Sequence, residues 1–275
     1  EKPAYPKEYI SDPLIEAKNL SFEFTEGKRV LEDINLSIGE GTITGILGRT
    51  GSGKSTLLKI ITRIVDPPQG TVFVKGVELA AWDLVYLRKL FGVTPQDSYL
   101  FSDSIRNNIS YGLNENTDES ISARAATLAS LQKDFSSFQN GWETIIGERG
   151  LTLSGGQKQR TAIARSVAAV IAGNKEIIVF DDSLSAVDVE TEKMILDGLF
   201  EFGKERKRAG LAWSMIIISH RISALSRSDE VIVLDKGRII EQGTPIELTA
   251  LGGFYARTET LQSLGQNLGS GSRNG

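Results

Sequence analysis

The run Gly48-Arg49-Thr50-Gly51-Ser52-Gly53-Lys54-Ser55 is followed by Thr56 and sits between a strand-like segment, Thr42–Leu47, and a helix-like one starting near Gly53. It fits the phosphate-binding loop pattern in the strand–loop–helix context that the chemistry needs. Glycines at these positions let backbone N–H groups curl around an anion, and the helix start adds positive potential. Lys54 then reaches the β- and γ-phosphates of a nucleotide, and the Ser55 hydroxyl holds Mg²⁺. The plain alternative is a tight glycine turn beside an exposed lysine.

Two further segments carry chemistry. Ile177–Phe180 is an apolar strand that ends in Asp181. Lying parallel beside the loop's own strand, it delivers that carboxylate to the Mg²⁺ shell. Standing alone, such an Asp is an ordinary helix cap. Leu153-Ser154-Gly155-Gly156-Gln157 precedes a long helix expected from Lys158 to about Ala172. Its Ser and two glycines form either a second phosphate-binding helix start or a common N-cap.

The elements that must hold these residues alternate along the chain. Leu14, Glu16, Lys18, Leu20, Phe22 and Phe24 suggest a half-buried strand, followed by strands at Leu31–Ile38 and Thr42–Leu47. The helix after the loop carries Leu57, Leu58, Ile61, Ile64 and Val65 on one stripe and is expected to stop at Pro67-Pro68. Residues 71–95 read as β-rich with one short helix, and 98–172 as almost wholly helical. Then come strand Ile177–Asp181, helix Thr191–Phe202, strands Met215–Ser219 and Val231–Leu234, a β return near Arg238–Glu241, and helix from about Pro245. This is an α/β core with a helical lobe inserted at about 97–172. Residues 1–13 read as an incoming linker, and 266–275 as a flexible tail.

Composition narrows the function. The 275 residues, 40% hydrophobic and 24% charged, can bury a substantial core. The absence of Cys excludes disulfides, thiolate zinc sites and a Cys nucleophile. A net charge of −4 argues against nucleic acid as a partner. No apolar run approaches the roughly 18–20 residues of a membrane helix, and the chain itself is expected to be soluble. It opens with Glu1 and has no Met before Met194, so a piece of a longer polypeptide or a processed chain is expected.

With Gln96, Ser185-Ala186-Val187-Asp188 and His220 added in order, about residues 14–262 resemble the nucleotide-binding domain of an ABC transporter, a domain expected to span 14–265. That resemblance implies a P-loop NTPase (RecA-like) core with an antiparallel β subdomain and an inserted α-helical subdomain, binding ATP and Mg²⁺. It matches Phe24 to the aromatic that stacks on adenine, though Phe24 also suits a strand core. Gln96 matches the glutamine that touches Mg²⁺ and the attacking water, and Ser55, Gln96 and Asp181 make the implied metal set. Leu153–Gln157 matches the signature that faces a partner's ATP, Asp188 the loop that communicates across a dimer, and His220 the switch histidine on the γ-phosphate. His220 is also the only His, and one directly after an apolar strand suits a satisfied buried side chain. Glu148-Arg149-Gly150 and Pro95–Ser102 have an exporter flavour, although Arg149 also suits a solvated surface. They imply the coupling helices of an absent six-helix transmembrane domain as a partner, on the cytoplasmic face of the cell membrane.

One position departs from the family pattern. Competent members carry Glu after the strand-end Asp, and here Asp182 stands in its place. The catalytic set implied is therefore Asp182, Gln96 and His220, with a carboxylate withdrawn by about 1.5 Å. The expectation is ATP binding with slow hydrolysis, as in the degenerate-site half of a bacterial heterodimeric multidrug-type exporter. An engineered substitution, or an Asp that is an adequate base in a self-sufficient homodimer, is the alternative. A regulatory ATP-binding module without useful turnover is another. A soluble ABC ATPase acting on DNA or ribosomes lacks its coiled coil or tandem cassette here.

Overall fold

In the computed structural model, residues 13–114, 118–147, 153–173 and 175–271 are described. The chain divides into two compact units, Glu1–Leu84 with Ile217–Gly275, and Val85–Ile216.

The first unit begins with β1 (Ile15–Thr25), β2 (Lys28–Ile38), β3 (Ile43–Gly48), α1 (Lys54–Ile61), β4 (Val72–Val74) and β5 (Val77–Glu78). In the second, α2 (Leu84–Leu90) leads into β6 (Phe91–Thr94), α3 (Ile105–Ser110), α4 (Glu119–Leu128), α5 (Gly155–Ile171), β7 (Ile177–Asp181) and α6 (Val189–Arg208). Strand β8 (Ser214–Ser219) returns the chain to the first unit, which finishes with α7 (Ile222–Leu225), β9 (Glu230–Asp235), β10 (Arg238–Gly243), α8 (Pro245–Leu251) and α9 (Phe254–Gly271).

In the first unit, an antiparallel sheet in the order β2-β1-β4-β5 stands apart from the run β10-β9-β3, where β9 lies parallel to β3 and antiparallel to β10. Parallel β3 and β9 are continuous apolar strands, buried almost throughout. The β1–β2 hairpin turns at Glu26-Gly27, Gly27 having φ +80°. Its alternation differs from the spacing in the sequence. The register shifts between Ala17 and Leu20, where Asn19 takes φ +48°. Across that bulge the buried face passes from Ile15 and Ala17 to Leu20, and Lys18 is exposed; Phe24, near the end of the strand, is exposed as well.

Helix α1 also ends earlier than Pro67-Pro68 suggests. Arg63 adopts φ +50°, its N–H reaches Ile60 O at 2.9 Å, and Ile64 N–H reaches Lys59 O at 2.7 Å. This is a Schellman stop built on Arg instead of Gly. The Arg63 guanidinium stabilises it by donating to Trp82 O (2.8 Å) and Asp66 Oδ1 (2.8 Å). Ile64, expected on the apolar stripe, is exposed.

In the second unit β6 and β7 pair in parallel, from Phe91↔Ile177 to Thr94↔Phe180. The stretch 98–172 is less helical than expected: its described residues form α3, α4, α5 and short 3₁₀ turns at Gln132–Ser137 and Gly141–Glu143, with non-helical segments at 98–104 and 144–147. At the other end of the chain, α9 continues to Gly271, across residues assigned from sequence to a tail. No Pro interrupts 254–271, so nothing there forces a stop.

Close approach decides one position in this unit. A Cβ on Gly203 of α6 would lie 2.4 Å from Nε1 of the buried Trp213. Gly203→Ala is expected to destabilise the chain by about 1–2 kcal/mol, because overpacking outweighs the gain of roughly 1 kcal/mol in helix propensity. A fall in the urea midpoint at constant m-value measures this.

Candidate nucleotide site

The phosphate-binding loop grows out of β3. Its pairing with β9 runs from Thr44↔Glu230 to Gly48↔Leu234. At Gly48 a Cβ would stand 2.4 Å from Leu234 O and 2.5 Å from Ser52 Oγ, so only hydrogen fits. Gly51 and Gly53 take φ +81° and +107°, conformations open to glycine. Ser52 N–H closes the loop on Arg49 O at 3.1 Å.

The turn between β9 and β10 braces the loop from outside. Gly237 N–H donates to Ser52 O (3.0 Å), and Gly237 O accepts from Glu32 N–H (2.8 Å). Gly237 has φ +79°, and a Cβ there would meet Val30 O at 2.4 Å.

Gly53 caps α1 without a side-chain hydrogen bond, and the first turn holds no acidic residue. The opening N–H groups of α1 are thus in a setting that suits an anion. Lys54 Nζ folds back to donate to Gly48 O (2.6 Å) and Arg49 O (2.9 Å). Ser55 is exposed on that turn, Thr56 half-buried, and the Arg49 guanidinium lies over the Phe254 ring at 5.4 Å. Among the described residues the buried Ser52 hydroxyl has no hydrogen-bond partner.

His220 follows β8 and is exposed. It shares a cavity of about 300 Å³ with Leu47, Gly48, Arg49 and residues of α9. Phe24 belongs to the antiparallel sheet instead. It is 58% exposed and meets only the edge of Phe22 among the ring contacts described, at 5.0 Å. At that exposure Phe24 is not a core residue.

In the second unit, Gln96 lies two residues past β6, and Asp181 ends the neighbouring β7 with Asp182 just beyond. The pairing Thr94↔Phe180 therefore brings Gln96, Asp181 and Asp182 to the same edge of adjacent strands. Asp182 takes φ +49°, which Asp tolerates better than Glu, and its carbonyl accepts from Ser185 Oγ at 2.7 Å. Helix α5 holds the Gln96 strand by three contacts. Thr94 and Ser166 hydroxyls share a 2.8 Å bond, Gln159 Nε2 donates to Pro95 O at 3.4 Å, and Gly92 admits Ser166 O where a Cβ would be 3.3 Å away.

The N-terminus of α5 is the Ser-Gly-Gly-Gln segment. Ser154 and Gln157 form a reciprocal capping box, Gln157 N–H to Ser154 Oγ at 3.2 Å and Ser154 N–H to Gln157 Oε1 at 3.0 Å. Gln157 Nε2 donates to Ser137 Oγ at 3.2 Å. Arg160 holds Asp134 in a buried two-bond pair at 2.9 and 2.8 Å, tying α5 to the 3₁₀ turn. Leu153 and Gly156 are half-buried, while Ser154 and Gly155 are exposed. The exporter-like Glu148-Arg149-Gly150 lies outside the described residues.

Ser55 in the first unit, and Gln96 and Asp181 in the second, each offer an oxygen of the hard type that suits Mg²⁺. Among the described residues no group of three or more His, Cys, Asp and Glu could hold a metal.

Asp188 caps α6, accepting from Thr191 Oγ1 (2.7 Å) and Thr191 N–H (2.9 Å), while Lys133 reaches the same Thr191 hydroxyl. The Thr191 bonds first, and then Lys133, pull its carboxyl from 3.8 down to about 2. A depressed native value stabilises the fold above the unfolded value, and that contribution is lost as pH falls from about 4 to about 2. Asp188→Asn is expected to flatten that part of the acid limb, read from urea midpoints between pH 5 and 2.

Sequence spacing missed Gly237, Phe254 and Gln262. Lys236-Gly237 carries a turn signal, but nothing near it points to the loop it braces.

The family model described as ABC transporter matches residues 31–185, over half of the chain. The chain is 41% identical over 248 residues to the toxin RTX-I translocation ATP-binding protein of Actinobacillus pleuropneumoniae, covering 90% of this chain and 33% of that protein. It is 38% identical to the mitochondrial iron-sulfur clusters transporter ATM1 of Saccharomyces cerevisiae, covering 89% and 34%. Against the "Probable multidrug resistance ABC transporter ATP-binding/permease protein YheI" of Bacillus subtilis it is 40% identical, covering 85% and 38%. It thus spans about a third of the length of these relatives. A bacterial Atm1-family ABC exporter solved with ATP bound superposes with a TM-score of 0.83 at 33% identity, over 94% of this chain and 43% of that one. No helix among the described residues is long and apolar enough to cross a membrane. The chain belongs to the ABC transporter family, whose ATP-binding region it matches.

Proposed function

We propose that this domain binds Mg-ATP in a head-to-tail dimer with a second, non-identical ABC domain and hydrolyses it slowly at its own site. In this reading the Gly48–Thr56 loop holds the phosphates, Lys54 supplies charge, and Phe24 stacks on the adenine. Ser55, Gln96 and Asp181 serve Mg²⁺, which when bound screens the charge that develops on the phosphates. His220 contacts the γ-phosphate. Leu153–Gln157 serves the ATP of the partner domain, and Asp188 lies in the loop that signals across the dimer.

The observation that carries the slow-hydrolysis reading is Asp182. Its carboxylate is one methylene short of the family's Glu, on a left-handed backbone position that favours Asp. A misplacement of about 1 Å costs on the order of a hundredfold where positioning supplies the catalysis. The binding loop is meanwhile intact, so affinity is retained.

The dimer stands on the cytoplasmic face of a membrane, against coupling helices of a transmembrane domain. Relatives named for toxin, iron–sulfur cluster and drug transport share this domain. Cargo is accordingly selected elsewhere, and the domain drives export.

A self-sufficient homodimer is the second reading, favoured by His220 lining the same cavity as Gly48 and Arg49. Steady-state Mg-ATP turnover of the chain and its Asp182→Glu variant, at concentrations that permit dimerisation, separates the two. A rise of about a hundredfold in the variant is expected. An ordinary rate in the unmodified chain, with no gain from Glu, overturns the degenerate site.

A further inference from the structure

Gln262 lies on α9, 42 residues beyond His220 in sequence, yet its side-chain amide closes on the backbone around that histidine. Nε2 donates to His220 O at 2.7 Å, and Oε1 accepts from Ile222 N–H at 2.8 Å. Arg221, between the two, is extended (φ −96°, ψ 123°). In an extended chain the carbonyl before a residue and the N–H after it point to the same side. The Gln262 amide thus pairs with 220–222 as a neighbouring strand would. Ser219 Oγ accepts the Arg221 N–H at 3.0 Å.

The helix that carries Gln262 is itself anchored. Glu241 accepts from the N–H groups of Phe254 and Tyr255, and Tyr255 is fully buried. Phe254, Thr258, Leu261 and Gln262 fall on one helical stripe and face the cavity that Gly48, Arg49 and His220 also line. Phe254 meets Arg49 at one end of that stripe, and Gln262 meets the histidine loop at the other.

From this arrangement we infer that Gln262 is a positioning residue for His220, holding the histidine backbone in register with the phosphate-binding loop. The inference rests on the proposed contact of His220 with the γ-phosphate. Gln262 touches no reacting atom. Its amide removes the freedom of a two-residue stretch that would otherwise have to be ordered whenever nucleotide binds.

His220 is the only histidine, so its imidazole signals in an ¹H–¹⁵N NMR spectrum are unambiguous. They are to be recorded for the whole chain with Mg-ADP and with Mg-ATPγS, in the wild type, Gln262→Leu and Gln262→Glu. Binding constants and melting curves accompany each spectrum. The wild type is expected to show a shift with Mg-ATPγS that Mg-ADP does not produce. Gln262→Leu is expected to lose at least about half of that difference, with nucleotide affinity changed less than about threefold. Gln262→Glu keeps the acceptor for Ile222 N–H but opposes the His220 carbonyl, and is expected to fall between the two. It also decides the matter if Gln262→Leu fails to fold. A folded Gln262 variant with the full wild-type difference overturns the inference. A wild type that responds identically to both nucleotides overturns the γ-phosphate reading, and the inference with it.

Discussion

The loop between β3 and α1 can exist only if no side chain occupies its inner face. At Gly48 the nearest backbone oxygen leaves no room for a Cβ, and at Gly53 a Cβ would press on the Leu31 side chain at 2.7 Å. That bare backbone is held from outside by Gly237, whose N–H and carbonyl both bond, one to the loop and one to β2. Three segments distant in sequence thus meet at two glycines. The course of Lys54, the start of α1 and the wall of the histidine cavity follow from that meeting.

In the second unit the corresponding organiser is α5. One end carries the Ser-Gly-Gly-Gln turn and the other flank holds the strand that leads to Gln96. Its buried Arg160–Asp134 pair is a commitment, because removing one partner of such a pair leaves a buried charge and costs about 3–5 kcal/mol. The Arg165 guanidinium does comparable work nearby. It donates to Asn108 O at 2.8 Å and Tyr99 O at 2.9 Å and lies over the Phe101 ring at 5.3 Å. Burial lowers its pKa without neutralising it, so the charge is spread over carbonyls and an aromatic face.

Much of this was legible in the sequence, because phosphate chemistry demands particular residues at fixed spacing. Gly48–Ser55, the apolar strand ending at Asp181 and the cap at Ser154 each fall where the spacing predicts. Features set by the third dimension were not legible. The Asn19 bulge reverses the faces of β1 through one backbone angle, and no alternation rule anticipates it. Arg63 ends α1 in a conformation normally left to glycine, since its side chain finds carbonyls 16 and 19 residues away. Gln262 looks like any polar residue on a helix, and its role depends on a loop 42 residues earlier.

The parallel pairing of β3 with β9 also has a kinetic side. Ile43 N–H bonds to the Asp229 carboxylate across 186 residues, and the whole second unit is strung between them. At about 5–20 residues per second, synthesis leaves β3 waiting on the order of 10–40 s for its partner. During that interval an apolar strand edge has no native neighbour from β9, and the phosphate-binding loop has no Gly237 to close it. The nucleotide site is therefore assembled late, after most of the chain between its two halves has been made.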